Sequence, residues 1–216
     1  AGYTPYRILP MSECPDQAGQ LLHDNLCPHV KRILDRAISK DLPDLAGAVF
    51  INSCDAMRRV CDAWRHVRPD DHIILLDLPA VSDDAAIAFF AGELARLMEA
   101  LSAWCGRNIT TSDIETSIRQ YNRLPPLFAG LRERLRQGTL AGGSTRMQTL
   151  YNEAMMTPFA KSAQSLKQAL AEPEPEDSDS GGIPVFLFGN VLADPEAMAL
   201  FESCGARFVE DDLCTG

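Results

Sequence analysis

Residues 46–79 constrain the fold more than any other stretch. "AGAVFIN" (46–52) is an apolar, β-branched run of strand length. "SCDAMRRVCDAWRHV" follows with helical spacing of Met57, Val60, Cys61 and Trp64. "HIILLDLP" (72–79) is the next buried strand. Strand, helix and strand in this order make a β-α-β unit with a right-handed crossover. A second unit closes the chain. "IPVFLFGNVL" reads as a buried strand ending at Gly189-Asn190, and Asp194-Pro195 caps and starts a helix running to about Cys204. Gly205 stops that helix, and "RFVEDD" is a strand ended by Asp211 and Asp212.

The rest is mostly helical. "YRILP" (6–10) reads as a short strand, and "CPHVKRILDRAISK" as a helix with Cys27 at the N-cap and Pro28 at the first helical position. Residues 82–104 predict a long amphipathic helix with Ile87, Phe90, Leu94, Leu97, Met98 and Leu101 on its apolar side. Thr111 or Ser112 is placed to cap the next helix, with Glu115 in a capping box. Helical patterning continues to about 137, breaks at "QGTLAGGSTRM", and resumes with an interruption before Pro158. "EPEPEDSDSGG" (172–182) is acidic and rich in Pro, Ser and Gly, and reads as a linker or surface insertion. The expected fold is α/β: two Rossmann- or flavodoxin-like parallel-sheet lobes, 1–80 and 183–216, around a helical region, 81–171, with the second lobe truncated.

A formal net charge of −10 disfavours non-specific nucleic-acid binding, which needs a basic face. No apolar run approaches the roughly 20 residues that span a bilayer, and the opening "AGYTPYRILP" is not a signal peptide. A cytoplasmic location without membrane contact is the expectation. Seven cysteines, an odd number without a signal peptide and without a CxxC, argue against a disulfide framework and against a zinc ribbon. A lone cysteine is more often a buried small hydrophobe than a ligand, so position has to separate the two.

Three cysteines occupy places that favour a thiolate. Cys54 follows the strand 46–52 and precedes a helix, and Cys214 follows the last strand. Ligands of open parallel sheets bind outside the carboxyl ends of the strands. Cys27 lies at a helix N-terminus, where the macrodipole and free N–H groups favour the thiolate. Cys61 reads as core, Cys105 as filler, Cys204 as facing its sheet, and Cys14 is ambiguous. Ser53 and Asn52 are placed either to hydrogen-bond a sulfur or substrate, or to cap the following helix. Asp55 reads as a helix N-terminal charge, and Arg58 and Arg59 as an exposed helix face. Gly189-Asn190 ends a strand on the same edge as Cys214. His23, His29, His66 and His72 show no metal-ligand spacing.

At "LCPHVKRILDRA", "NSCDAMRRVCDAW", "LLDLP" and "GNVLADPEAMALFESCGARFVEDDLCTG" the sequence closely resembles the 2-hydroxyacyl-CoA dehydratase / benzoyl-CoA reductase family, of the 2-hydroxyglutaryl-CoA dehydratase D-component type. The resemblance covers the chain except the acidic 172–182 stretch. Subunits of that family run longer at both ends, so the resemblance implies a piece of a longer subunit. It implies a four-iron four-sulfur (4Fe–4S) cluster held by Cys27 in "LCPHV", Cys54 in "NSCDAMRR" and Cys214 in "DDLCTG", with Thr215 and Gly216 turning over the cluster. Three thiolates leave one iron without a protein ligand. The implied chemistry is one-electron (ketyl radical) chemistry on an acyl-CoA thioester, of the lyase or reductase kind. The implied partners are a homologous second subunit, a separate ATP-hydrolysing iron–sulfur activator, and the acyl-CoA substrate. No catalytic side chain beyond the ligands is assigned. Two alternatives stand beside this: an electron-carrying reductase with a double cubane, for which Cys14, Cys61 and Cys204 are the further thiols in the chain, and a non-catalytic partner subunit.

Overall fold

The computed structural model describes residues 2–10, 13–175 and 181–214. Residues 176–180, in the middle of the acidic stretch, lie outside the described residues. The chain divides into two compact units. One comprises Ala1–Tyr3 and Pro10–Ile114, the other Thr4–Leu9 and Glu115–Gly216.

The first unit opens with a single 3-10 turn, Ala18–Gln20, and α1, Pro28–Ile38. The β-α-β unit follows: β1, Ala48–Asn52; α2, Asp55–Val67; and β2, Ile73–Asp77. β1 and β2 pair in parallel from Ala48↔Ile73 to Asn52↔Asp77, which sets Asn52 beside Asp77 at the carboxyl edge. α1 packs on α2, and α2 on β1. Val30, Ile33 and Leu34 of α1, Phe50 of β1, Val60, Cys61 and Trp64 of α2, and Ile74 and Leu76 of β2 are buried. Each large side chain enclosed in this way contributes about 1.5–3 kcal/mol.

Two features tie the ends of the sheet to its surroundings. Gly47 is required just before β1, because a Cβ there would lie 2.6 Å from the Trp104 ring and 2.9 Å from the His72 carbonyl. Trp104 in turn stacks on His72 at 5.5 Å. It belongs to α3, Asp84–Cys105, which packs along β2 and is capped by the Asp83 carboxylate on the Ala86 amide. The apolar side expected for α3 is not buried. Ile87 and Leu94 are 61% and 46% exposed, Phe90, Leu97, Met98 and Leu101 are half-buried, and only Ala86 is enclosed. Length explains this. A 22-residue helix spans about 33 Å, whereas a five-residue strand covers about 17 Å.

The second unit is built on helices. α4, Thr111–Tyr121, crosses the division between the units. It is followed by α5, Leu124–Gln137, α6, Gly143–Met156, and α7, Phe159–Ala171. The cap of α4 lies one residue earlier than expected. Thr110 Oγ1 accepts from the Asp113 amide at 3.2 Å, and the Asp113 carboxylate accepts from the Thr110 amide at 2.9 Å. Asp113 therefore closes the box, and Glu115 pairs with Arg119 instead. Leu131, Leu150, Leu166 and Ala169 centre the core among α5, α6 and α7. "YRILP" is not a strand. No described strand lies beside it, and the Arg7 amide donates to the Met155 carbonyl at the end of α6.

β3, Ile183–Gly189, α8, Pro195–Ser203, and β4, Ala206–Leu213, form the second parallel pair with its crossover helix. Asp194 caps α8 through the Glu196 amide. β4 does not stop at the two aspartates. It runs through Asp211 and Asp212 to Leu213, with a register slip between Val185 and Phe186 that leaves Val209 between the partnered Phe208 and Glu210. The slip adds an extra residue to β4, as a β-bulge does. Val185, Leu187, Met198, Phe208 and Leu213 form the core of this pair, while Phe186 and Phe188 point away from it.

α6 begins at a glycine pair, and a carboxylate from α8 closes its N-terminus. Glu202 Oε1 accepts from the Ser144 amide at 2.9 Å and from Ser144 Oγ at 2.6 Å. Gly143 adopts φ +55°, which residues with a side chain rarely do, and a Cβ there would lie 2.8 Å from the same oxygen, so a larger residue would be strained and would push Glu202 off the helix start. An N-terminal carboxylate satisfies an orphan N–H and faces the positive end of the helix dipole. Glu202→Ala should therefore cost about 1–2 kcal/mol. A shift in the urea midpoint at unchanged slope would show it, and an unchanged midpoint would rule the cap out as a stabilising contact.

Candidate functional site

Cys54 sits where the β-α-β unit presents its carboxyl edge. It is the N-cap of α2 in extended conformation, and its side chain makes no capping bond to its own helix. The loop that carries it is fixed from behind by a polar ladder. Asn52 Nδ2 donates to Asp77 Oδ1 at 2.5 Å, and Arg58 Nε donates to Asn52 Oδ1 at 3.3 Å. The Asp77 amide donates to Glu93 Oε2 at 2.9 Å, and Arg96 pairs with Glu93. Hydrogen bonds from Arg96 and from the Asp77 amide hold the Glu93 carboxyl below the usual range. Asn52 thus braces the two strand ends, and Ser53 bonds back to the Ile51 carbonyl. Sequence reasoning does not find Asp77, Glu93 and Arg96. A charged residue ending an apolar strand, as in "IILLD", is the one signal that points toward them.

Cys27 is the N-cap of α1, with Pro28 at the first helical position, and its side chain makes no capping bond. A cavity of about 390 Å³ lies along α2, lined by Leu26 just before Cys27 and by Asp55 just after Cys54. His23, Arg59, Asp62 and His66 add polar groups to an apolar floor of Leu21, Leu22 and Ala63. Arg59 is paired with both Asp62, at 3.2 Å, and Asp55, at 3.7 Å.

Cys214 belongs to the other unit. It follows β4 directly, and its sulfur lies 3.8 Å from the carbonyl oxygen of Gly189, the last residue of β3. Gly189 therefore shares the carboxyl edge with Cys214. Thr215 and Gly216 lie outside the described residues. Asp211, three residues before Cys214, faces a small buried space with Tyr151 and Gln148. Burial pushes the Asp211 carboxyl above the ordinary aspartate value, with Arg132 opposing and Glu210 and Asp212 adding to the rise.

The other cysteines divide clearly. Cys61 is fully enclosed beside Val60 and Trp64, and burial pushes its thiol up, the opposite of what a ligand needs. Cys105 donates to the carbonyls of Ser102 and Arg107. Cys204 does not face its sheet; it is the exposed C-cap of α8, because the helix ends one residue before it. The Cys14 thiol is 3.7 Å from the Asp41 carboxylate.

The sequence profile described as "2-hydroxyglutaryl-CoA dehydratase, D-component" matches residues 1–216. The chain belongs to that family. A benzoyl-CoA reductase subunit of Thauera aromatica is 25% identical over 194 residues, covering 87% of this chain and 50% of that protein. The chain spans about half the length of the curated relative it matches. For a D-component family member, the chain's free thiols are donors of the soft kind that an iron centre takes. Cys27, Cys54 and Cys214 are free thiols, each half-buried or exposed, two of them at helix N-termini. The structure sets Cys27 and Cys54 on the first unit, each next in sequence to a residue that lines the cavity, and Cys214 on the second. Among the described residues no group of three His, Cys, Asp or Glu side chains is placed to hold a metal ion. No helix among them is long and apolar enough to cross a membrane.

Proposed function

We propose that the chain is the iron–sulfur subunit of an enzyme acting on acyl-CoA thioesters, with Cys27, Cys54 and Cys214 as the protein ligands of a 4Fe–4S cluster. Family membership over the whole chain is the observation that carries this reading. The free thiols of Cys54 and Cys214 past two strand ends, and of Cys27 at the start of α1, support it. The cluster would supply one-electron chemistry at the thioester. The chain's own residues ligate and orient. Cys27 and Cys54 sit at the N-caps of α1 and α2, and neither side chain is tied up in a capping bond. The Asn52–Asp77 brace and Arg58 hold the Cys54 loop in place, as supporting contacts around metal ligands do. Dehydration of a 2-hydroxyacyl-CoA is the first reading of the reaction. Similarity to a benzoyl-CoA reductase supports reduction of an acyl-CoA ring as the second. That relative is one subunit of its enzyme by name, which supports a partner subunit here; in this reading the partner is a homologous subunit, and an ATP-dependent iron–sulfur activator donates the electron.

The test is a spectroscopic titration of the anaerobic, iron-loaded protein. A 2-hydroxyacyl-CoA or benzoyl-CoA should perturb the cluster's visible and paramagnetic resonance spectra at saturable concentration, and free CoA should not. Spectra that ignore both thioesters would remove the acyl-CoA role and leave an electron carrier. The double-cubane form of that carrier needs thiols beyond the three, and Cys61 is too deeply enclosed to supply one.

A further inference from the structure

Residues 4–9 belong to the second unit, where the Arg7 amide donates to the Met155 carbonyl at 2.9 Å. That contact directs the Arg7 side chain. Its Nη1 lies 3.8 Å from the Met155 sulfur, and its Nη2 donates to the carbonyl oxygen of Cys214 at 3.1 Å. The hydrogen bond joins residues 207 apart in sequence. Arg7 is half-buried. A cation is costly to remove from water unless a partner meets it, and the Cys214 carbonyl is such a partner.

We propose that Arg7 is a positioning residue for Cys214: it clamps the Cys214 carbonyl and so holds a positive charge against the residue that carries the sulfur, which raises the reduction potential of the cluster that this sulfur ligates. The inference rests on the reading of Cys214 as a ligand. The physics is direct. One-electron reduction makes a cluster more negative, and a nearby fixed cation stabilises the more negative form. Lys at the same position keeps the charge and loses the planar fork that reaches the carbonyl.

The protein is purified without oxygen as wild type, Arg7→Gln, Arg7→Lys and Cys214→Ala. Iron is counted and the midpoint potential is measured by redox titration. Arg7→Gln should retain iron and titrate at a lower potential, with Arg7→Lys nearer the wild type. Arg7→Gln with full iron at the wild-type potential would overturn the assignment. Should Arg7→Gln lose iron, Arg7→Lys must restore it, and a lysine variant that also loses iron overturns the assignment too. Full iron in Cys214→Ala would instead sink the ligand reading, and this inference with it.

Discussion

Asp35→Ala should lower stability by about 3–5 kcal/mol, the cost of leaving a buried charged network without its acceptor. Asp35 is completely enclosed in α1. Its Oδ1 accepts from the Gln17 and Ala18 amides at 2.8 Å each, and its Oδ2 pairs with Arg32 at 3.1 Å. Arg32 also reaches the Cys14 carbonyl at 2.9 Å. One carboxylate thus fixes the turn at Ala18–Gln20 to α1, and the chain between them leads through the cavity-lining Leu21, Leu22 and Leu26 to Cys27. Removal strands the two amides, each with its own desolvation cost, and takes from Arg32 its carboxylate partner. Asp35→Asn keeps one acceptor and loses the charge, so it should fall between. Denaturant midpoints measure the loss, and amide exchange should show it centred on residues 17–26. A midpoint within about 1 kcal/mol of wild type would mean that the turn holds without the carboxylate.

Trp64→Ala should cost a similar amount, about 3–5 kcal/mol, because the cavity it leaves lies in the centre of the first unit. Trp64 is fully buried, meets Phe50 edge-on at 5.5 Å, and donates from Nε1 to Asp71 Oδ2 at 2.9 Å. The smaller change Trp64→Phe tests the hydrogen bond through pH. Burial pushes the Asp71 carboxyl up, but hydrogen bonds from Arg68 and Trp64 outweigh it and bring the folded value below the ordinary 3.8. A carboxyl lowered on folding adds stability that is present above its unfolded value and lost as pH falls through the folded one. Wild-type protein should therefore lose this contribution only below about pH 4. Trp64→Phe should lose part of it at neutral pH and show a shallower acid limb. Parallel acid profiles for the two proteins would show that the indole contributes nothing to holding Asp71 ionised.

The elements that were legible in the sequence are those whose signals are local. The strand "AVFIN", the spacing of Val60, Cys61 and Trp64, Pro28 after Cys27, and the Asp194-Pro195 start all report on a few neighbouring residues, and the structure carries each where expected. What was not legible depends on partners far away in the chain. "YRILP" has the composition of a strand but no described strand to pair with, so it lies against the end of α6. The apolar residues of α3 mark a face, yet a two-stranded sheet is too short to cover it. β4 runs through Asp211 and Asp212 because β3 offers it partners as far as Gly189, which outweighs the low strand propensity of aspartate. The same holds at the candidate site. Cys27 and Cys54 could be placed at helix starts from adjacent residues. The Asn52–Asp77 brace needed the strand register, and the Arg7–Cys214 hydrogen bond needed the whole of the second unit.

Whether three thiolates from separate segments hold one cluster is tested most directly by counting iron and acid-labile sulfide per chain in anaerobically purified protein, with Cys54→Ala beside the wild type. About four irons per chain are expected, lost in the Cys54→Ala variant while its fold, read by circular dichroism, is kept. A folded wild-type protein without iron, or a Cys54→Ala variant with the full complement, would contradict the three-thiolate site.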